Sequence, residues 1–382
     1  MKIGIFVDKL FAGGFQNVAL EEAIELKKQG NNVIFYVLKK EMCNEYEDIL
    51  RINKIPIIYL SEGLPKILNF NFKLPFFAFF SLFHITYPLF IPFYFKFDLD
   101  LILCHGTYTA LTCITIANVQ KIKTITYIHD PIEYILSQKY NQNLIKSILF
   151  NLLARLGRLI DRGIINHSYK VLAYPEMITY LNSRHKNSGK YISIFNGVTQ
   201  GVCGKKKNYI LALTKWDQGK NVELLLRLWK KDITVPLYIV GRWDNPDQKK
   251  ALIKKLNENF LEKNIYITGE VNEREKRKFM REALLLIHPC REAFGMTILE
   301  AASEGCFSIF TKNSGIAALY KNGYDSVQVP ENSENDYYLQ IKRVLKDEKT
   351  RNMLSINSYN TSKKYSWKKH IEIIQNAYTN EL

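Results

Sequence analysis

Short, continuous apolar runs alternate along most of the chain with longer segments in which apolar residues recur every three or four positions. The runs are IGIFV, NVIFYV, DLILCH, TITYIHD, KVLAYP and YISIFN in the first half, then YILAL, PLYIVG, NIYITG, ALLLIHP and CFSIFT in the second. Strands of a parallel sheet covered by helices on both faces have this pattern, because neither side of such a strand meets water. It predicts an α/β fold with two doubly wound domains, and 382 residues are enough for both. The periodicity lapses at NGVTQGVCGKKKN, residues 196–208, and a strand pattern restarts at Tyr209.

Two segments stand apart from this alternation. Residues 76–95 read FFAFFSLFHITYPLFIPFYF, uncharged and flanked by Lys73 and Lys96. That is about the 20 residues a bilayer span needs, but half are aromatic, which suits an interface better than a hydrocarbon centre. Pro88 and Pro92 are expected to interrupt a helix there. A span, a buried or partly buried helix pair and a membrane-contacting surface all remain open. In residues 143–164, Ile145, Leu149, Leu152, Leu156 and Leu159 form one helical stripe, with Lys146, Arg155, Arg158 and Arg162 adding positive charge. Such a helix either buries its apolar side in the domain core or lies on an anionic membrane.

Composition narrows the partners. With 47% hydrophobic and 24% charged residues the chain is globular, and 53 Lys and Arg against 37 Asp and Glu leave a formal charge of +16. That excess points to an anionic partner: nucleic acid, an acidic membrane surface or a phosphorylated substrate. The cysteines at 43, 104, 113, 203, 290 and 306 form no CxxC and no zinc spacing with histidine, so neither a metal site nor a disulfide framework is indicated and a reducing cytosol fits. MKIGIFVDKL is too short an apolar run for a signal-peptide core and reads as a first buried strand.

The chemistry concentrates in REAFGMTILEAA, residues 291–302. ALLLIHP ends a strand and MTILEAASEG has helical spacing, so Arg291 to Gly295 should form the turn between them, at the carboxyl end of a parallel sheet where ligands bind. Phe294, Gly295, Met296 and Thr297 are placed to offer backbone N–H groups to a phosphate. Glu292 and Glu300 flank that anion site, and carboxylates there accept hydrogen bonds from hydroxyls, as a sugar on one side and a ribose on the other would provide. In LTKWDQGKN, Lys215 and Lys220 flank the loop after the first strand of the second half, where two cations could neutralise a diphosphate leaving group.

These features resemble the family-4 retaining glycosyltransferases of the GT-B architecture, over nearly the whole chain. The most specific element is the pair Glu292 and Glu300; AGGFQNVALEEAIELKKQGNNV (12–33), YIHD, FNGV (195–198) and YSWKKHIEIIQNAY (365–378) look like further landmarks in the right order. The resemblance implies two Rossmann-like domains facing a central cleft: residues 1–198 on the acceptor side, joined by a terminal helix at about 366–382, and residues 199–365 binding the nucleotide sugar. It implies that Glu300 holds the ribose, Glu292 the transferred sugar and Lys215 and Lys220 the diphosphate. Gly13 and Gly14 would approach the diphosphate, and His129 would lie near the reacting sugar. His105 is a second strand-end histidine, weighed between a direct and a structural role. The family usually has Arg at the position of Lys215, a small polar residue at Cys290, an acidic residue near Ala317 and Ala318, and a second glycine in the VGR turn at 240–242.

The implied reaction moves a sugar from a nucleoside diphosphate sugar with retention, the departing diphosphate oxygen taking the acceptor's proton. No cofactor or catalytic metal is expected: Asp98 and Asp100 in DLD resemble a metal motif of another architecture but lead into a strand. The aromatic stretch and basic helix sit in the acceptor-side half, which suggests a lipid-linked glycan or cell-surface polysaccharide precursor, met by a peripheral enzyme on the cytoplasmic face of a membrane. Two other classes fit less well. A nicotinamide oxidoreductase would have GxGxxG after the first strand, which AGGFQN does not supply. A non-catalytic basic membrane- or nucleic-acid-binding protein would leave the two glutamates unexplained.

Overall fold

A computed structural model describes residues 1–11, 13–41, 44–68, 81–139, 144–185, 188–243, 245–258 and 264–379. The chain divides into two compact units, Met1–Phe195 with Trp367–Leu382, and Asn196–Ser366.

The first unit carries a parallel sheet of β1 (Lys2–Lys9), β2 (Asn32–Lys39), β3 (Ile57–Tyr59), β4 (Leu101–His105), β5 (Lys123–Tyr127), β6 (Lys170–Ala173) and β7 (Tyr191–Ser193), in the order β3-β2-β1-β4-β5-β6-β7. In the second unit β8 (Ile210–Leu213), β9 (Leu237–Val240), β10 (Ile265–Gly269), β11 (Leu285–His288), β12 (Ser308–Thr311) and β13 (Val327–Val329) follow the order β10-β9-β8-β11-β12-β13. All the pairings are parallel. Each sheet therefore reverses its order once, between β1 and β4 and between β8 and β11. At such a switch point the connections on either side leave in opposite directions and open a crevice at the strands' carboxyl ends.

The eleven apolar runs correspond to eleven of these strands. The other two, β3 and β13, are three-residue edge strands, IIY and VQV, too short to carry a period of their own. Central strands are apolar on both sides because both faces are covered: Ile3, Ile5, Phe6 and Val7 of β1 are all buried, as is every residue of β8, β11 and β12.

Two expectations are corrected. Pro88 and Pro92 do not interrupt a helix: one helix, Phe83–Tyr94, runs through both. The lost N–H donors are tolerated because the helix is short and packed. Phe83, Tyr87 and Ile91 are buried, so side-chain packing holds the helix where the backbone ladder is broken, and Gln120 Nε2 donates to the last-turn carbonyl of Pro92 at 2.9 Å. Residues 76–80 lie outside the described residues. The stripe on the Leu144–His167 helix does not enter the core either: Leu152, Leu156 and Leu159 are 62%, 47% and 63% exposed. The buried side is instead Ala154, Gly157, Asp161, Ile164 and Ile165. The side chains of Ile145, Lys146 and Leu149 lie outside the described residues. Asp161 explains this choice of face, since its two carboxylate oxygens accept the N–H groups of Ile132 at 3.0 Å and Glu133 at 2.9 Å at the start of the Ile132–Lys139 helix. A cap of this kind satisfies amides that have no helical partner, and it holds the chain just beyond His129.

Candidate active site

In the second unit the loops after β8 and β11, on either side of the switch point, meet. After β8, Asp217 Oδ1 accepts from Gly219 N–H at 2.8 Å and turns the chain through Gln218–Lys220. Asn221 then ties this turn to the other loop, donating from Nδ2 to the Pro289 carbonyl at 3.3 Å. The result brings the ammonium of Lys220 onto the carboxylate of Glu292. Burial works to raise the Glu292 pKa, but Lys220 and then His288 overcome it and hold the carboxyl below its ordinary range. Lys220 is likewise pushed up by Glu292 against the opposing effect of burial.

Two residues that sequence reasoning did not place in the site complete this corner. His288 Nε2 lies 3.5 Å from Glu292 Oε1, and Cys290 Sγ lies 3.5 Å from His288 Nδ1 and 3.9 Å from Glu292 Oε1. Burial, with Glu292 beside it, pushes the Cys290 thiol up, so it stands as S–H. His288, Cys290 and Glu292 form the kind of donor set that can hold a metal. Here the Lys220 ammonium already supplies a cation to Glu292, and the two ring nitrogens of His288 face different partners. The H-x-C-x-E spacing at a strand end was the available signal.

The Met296–Ser303 helix starts at this corner. Gly295 precedes it at φ +106°, a left-handed conformation that glycine adopts without steric cost. The first amides of a helix, here those of Met296 and Thr297, have no helical acceptor and face outward along the axis. Gly315 closes the loop from the other side, its N–H donating to the Glu292 carbonyl at 3.1 Å. Phe294 is buried beneath, and its carbonyl accepts from Ile316 N–H at 2.7 Å. Glu300, farther along the helix, is bonded to Lys276 Nζ at 3.1 Å, a lysine that also pairs with Glu273 at 2.8 Å. Lys276 had no distinguishing sequence pattern. Lys215 is exposed in the loop after β8.

The first unit holds the remaining candidates. Gly13 caps the Gly14–Lys28 helix in an extended conformation, φ −144°. A Cβ on Gly13 would meet Gln16 Oε1 at 2.4 Å, whereas one on Gly14 would meet nothing within 4 Å. Gln16 is wholly buried, and neither end of its amide has a hydrogen-bond partner among the described residues. Ala12 lies outside the described residues. His129 follows β5, stacked on Tyr127 with ring centroids 4.0 Å apart and 5.6 Å from Phe15. Burial holds its imidazole well below its usual range, so it is neutral. His105, the last residue of β4, is buried and places Nδ1 3.4 Å from His129 Nε2. Its other nitrogen lies 3.0 Å from Glu22 of the Gly14–Lys28 helix, a residue the sequence reading passed over because it sits in an ordinary helical pattern.

The chain matches two family descriptions: "Glycosyltransferase Family 4" over residues 12–173 and "Glycosyl transferases group 1" over residues 200–361. An uncharacterized glycosyltransferase of Methanocaldococcus jannaschii is 29% identical over 230 residues, 58% of this chain and 62% of that protein. The N-acetylgalactosamine-N,N'-diacetylbacillosaminyl-diphospho-undecaprenol 4-alpha-N-acetylgalactosaminyltransferase of Campylobacter jejuni is 29% identical over 149 residues, 38% of this chain and 40% of that enzyme. The matched segments thus span less than two thirds of either relative. Among solved structures, Anabaena HepE in complex with UDP and glucose superposes with a TM-score of 0.78 at 14% identity, covering 100% of both chains. Sucrose-phosphate synthase of Thermosynechococcus elongatus does so with a TM-score of 0.77 at 14% identity, covering 99% of this chain and 98% of that one. Two parallel-sheet Rossmann-like units, each matched by its own family description, lead to one assignment: the chain belongs to the family-4 glycosyltransferases of the GT-B architecture.

Proposed function

We propose that this enzyme transfers a sugar from a nucleoside diphosphate sugar, with retention at the anomeric carbon, to a lipid-linked acceptor at the cytoplasmic face of a membrane. The observation that carries the donor half of this reading is the Lys220–Glu292 pair at the switch point of the second unit, beside the glycine-led start of the Met296–Ser303 helix. A diphosphate meets there an ammonium, helix-start amides and no fixed competing anion once Glu292 turns to a sugar hydroxyl. Glu300 is assigned to the ribose, Lys215 to the diphosphate with Lys220, and His129 to the transferred sugar. Charge compensation is assigned to the lysines, without a metal ion. A UDP donor is favoured, because the HepE structure that superposes on this chain holds UDP and glucose.

Two exposed apolar surfaces of the first unit favour the membrane half. Leu89 and Phe93 on the Phe83–Tyr94 helix are 62% and 75% exposed, and both this helix and the Leu144–His167 helix pack against the Thr107–Gln120 helix between them. Exposed leucines with Arg155 and Arg162 nearby suit the boundary between anionic headgroups and acyl chains. Among the described residues no helix is long and apolar enough to cross a membrane. The Campylobacter relative's name contains a diphospho-undecaprenol acceptor, which is the chemistry proposed here.

The test of the donor site is thermal protection of purified protein by a panel of nucleoside diphosphate sugars, with Glu300→Ala as control. Protection by one donor, lost in the variant, supports the reading. Absence of protection by any donor, in folded protein, would move the reading to a non-catalytic binding protein. Sedimentation with anionic vesicles at low salt tests the membrane half, which loses its support if wild-type protein stays in solution or if Leu156→Glu and Leu159→Glu sediment equally well.

A further inference from the structure

The three histidines around Glu22 allow their protons to be placed. Glu22 is buried, and each of its oxygens takes one imidazole: Oε2 lies 3.0 Å from His105 Nε2, and Oε1 lies 2.8 Å from His370 Nε2. The second nitrogen of His370 lies 2.7 Å from the Phe195 carbonyl, which can only accept. His370 Nδ1 therefore carries a proton. Burial by itself would raise the Glu22 pKa, but the N–H hydrogen bonds from His105 and His370, with the charge of His370, bring it down, so it is a carboxylate. His370 Nε2 then carries a proton as well, and the residue is an imidazolium paired with Glu22.

His105 donates its Nε2–H to the other carboxylate oxygen. The Glu22 charge is already balanced by His370, and a second buried cation would stand uncompensated. His105 is accordingly neutral, with a lone pair on Nδ1. That lone pair faces His129 Nε2 at 3.4 Å, so His129 must present Nε2–H to it and keep its own lone pair on Nδ1. Stacking on Tyr127 and contact with Phe15 hold the plane of the His129 ring.

We propose that Glu22 and His105 are positioning residues that lock His129 in its Nε2–H form, so that the Nδ1 edge is a hydrogen-bond acceptor for a hydroxyl of the transferred sugar. The proposal rests on the reading that His129 serves that sugar. A neutral imidazole with the opposite tautomer would present a donor on Nδ1, and a sugar hydroxyl would have to accept from it. The lock decides between these before substrate arrives, which removes the need to sort tautomers during turnover.

The test is nitrogen NMR of histidine-labelled full-length protein at pH 8, with donor KM and kcat measured on the same samples. In the wild type His129 is expected to carry its proton on Nε2. His105→Phe keeps a ring but removes both nitrogens; His129 should then sample both tautomers, and kcat should fall at least tenfold with donor KM within about twofold. Glu22→Leu should do the same. Glu22→Gln is the rescue: its carbonyl can accept from His105 Nε2–H and its amide can donate to a neutral His370 Nε2, so the His129 tautomer should persist and kcat should stay within about threefold. A merely structural need for the Glu22 charge would be lost in Glu22→Gln, and this predicts the opposite. A His129 proton on Nδ1 in the wild type, or an unchanged His129 tautomer in His105→Phe, overturns the proposal. If a variant fails to fold, the wild-type tautomer decides alone. Full transfer by His129→Ala would remove the reading that His129 serves the sugar, and is distinguishable because the tautomer is read without substrate.

Discussion

Replacing Lys220 by Met keeps a long side chain but removes the ammonium and leaves the Glu292 carboxylate facing the position proposed for a diphosphate. The structure makes the consequences for binding unequal. Lys220 is bonded to Glu292, and their side chains are only 17% and 24% exposed. A lost charged contact to diphosphate is worth roughly 1.5 to 3 kcal/mol, so Lys220→Met should weaken UDP binding by about ten- to a hundredfold. Part of that loss is repulsion. A carboxylate at ~6 Å from one phosphate charge, at an effective dielectric near 20, opposes binding by about 3 kcal/mol before salt screening and by about 1.3 kcal/mol at a Debye length of ~8 Å. Glu292→Gln removes that repulsion and frees Lys220, so by itself it should leave UDP binding unchanged or tighter while slowing sugar transfer. The double variant should recover affinity relative to Lys220→Met, with a coupling of about 1 to 2 kcal/mol. Titration calorimetry of UDP with the four proteins measures each term. Equal affinities throughout, or strictly additive losses, would refute the pairing of these two residues at a diphosphate site.

Three other outcomes follow from the same geometry. Glu300→Ala should weaken nucleotide binding by about ten- to a hundredfold through loss of a charged acceptor worth roughly 1.5 to 3 kcal/mol; unchanged affinity in calorimetry would remove Glu300 from the ribose. Gly315→Ala would put a Cβ 2.1 Å from the Ala293 carbonyl oxygen, so the loop bearing Glu292 must shift; thermal stability should fall by more than about 2 kcal/mol and donor binding should weaken, and a variant with native affinity would show the loop to be adaptable. The Glu22 carboxyl lies at about 2 in the folded protein against 4.5 unperturbed, so its stabilisation is full above pH 4.5 and is lost as pH falls towards 2. The loss is on the order of 3 kcal/mol, and acid titration of Glu22→Gln should lack it; identical acid profiles would contradict a charged Glu22.

Much of the candidate site was legible because its residue types are unusual in their positions. Two glutamates around a glycine-led helix start, and two lysines after the first strand of a domain, stand out against the alternating pattern. Glu22 and Lys276 did not, since a charged residue on a helix reads as a solvated face until the fold shows it facing histidine or glutamate. His288 was hidden in the apolar ending of a strand, and Cys290 stood out only as a departure from the family's small polar residue. His105 was visible as a strand-end histidine, but its part depends on an atom of a helix 83 residues earlier.

The sequence by itself determined the class of the fold and eleven of its strands, because a strand buried on both faces must be continuously apolar and a crossover helix must be amphipathic; the order of the strands in each sheet came from the structure. It also determined where the glutamates and lysines would sit relative to the sheet ends, since these follow from local turns. Only the tertiary structure decided which face of the Leu144–His167 helix is covered, how a helix survives Pro88 and Pro92, and which groups share protons around Glu22. Periodicity shows that a helix has an apolar side but not what lies opposite it, and a carboxylate's charge state depends on neighbours brought together from Glu22, His105 and His370. Contacts between residues distant in the chain are set by packing, and that information exists only once the chain has folded.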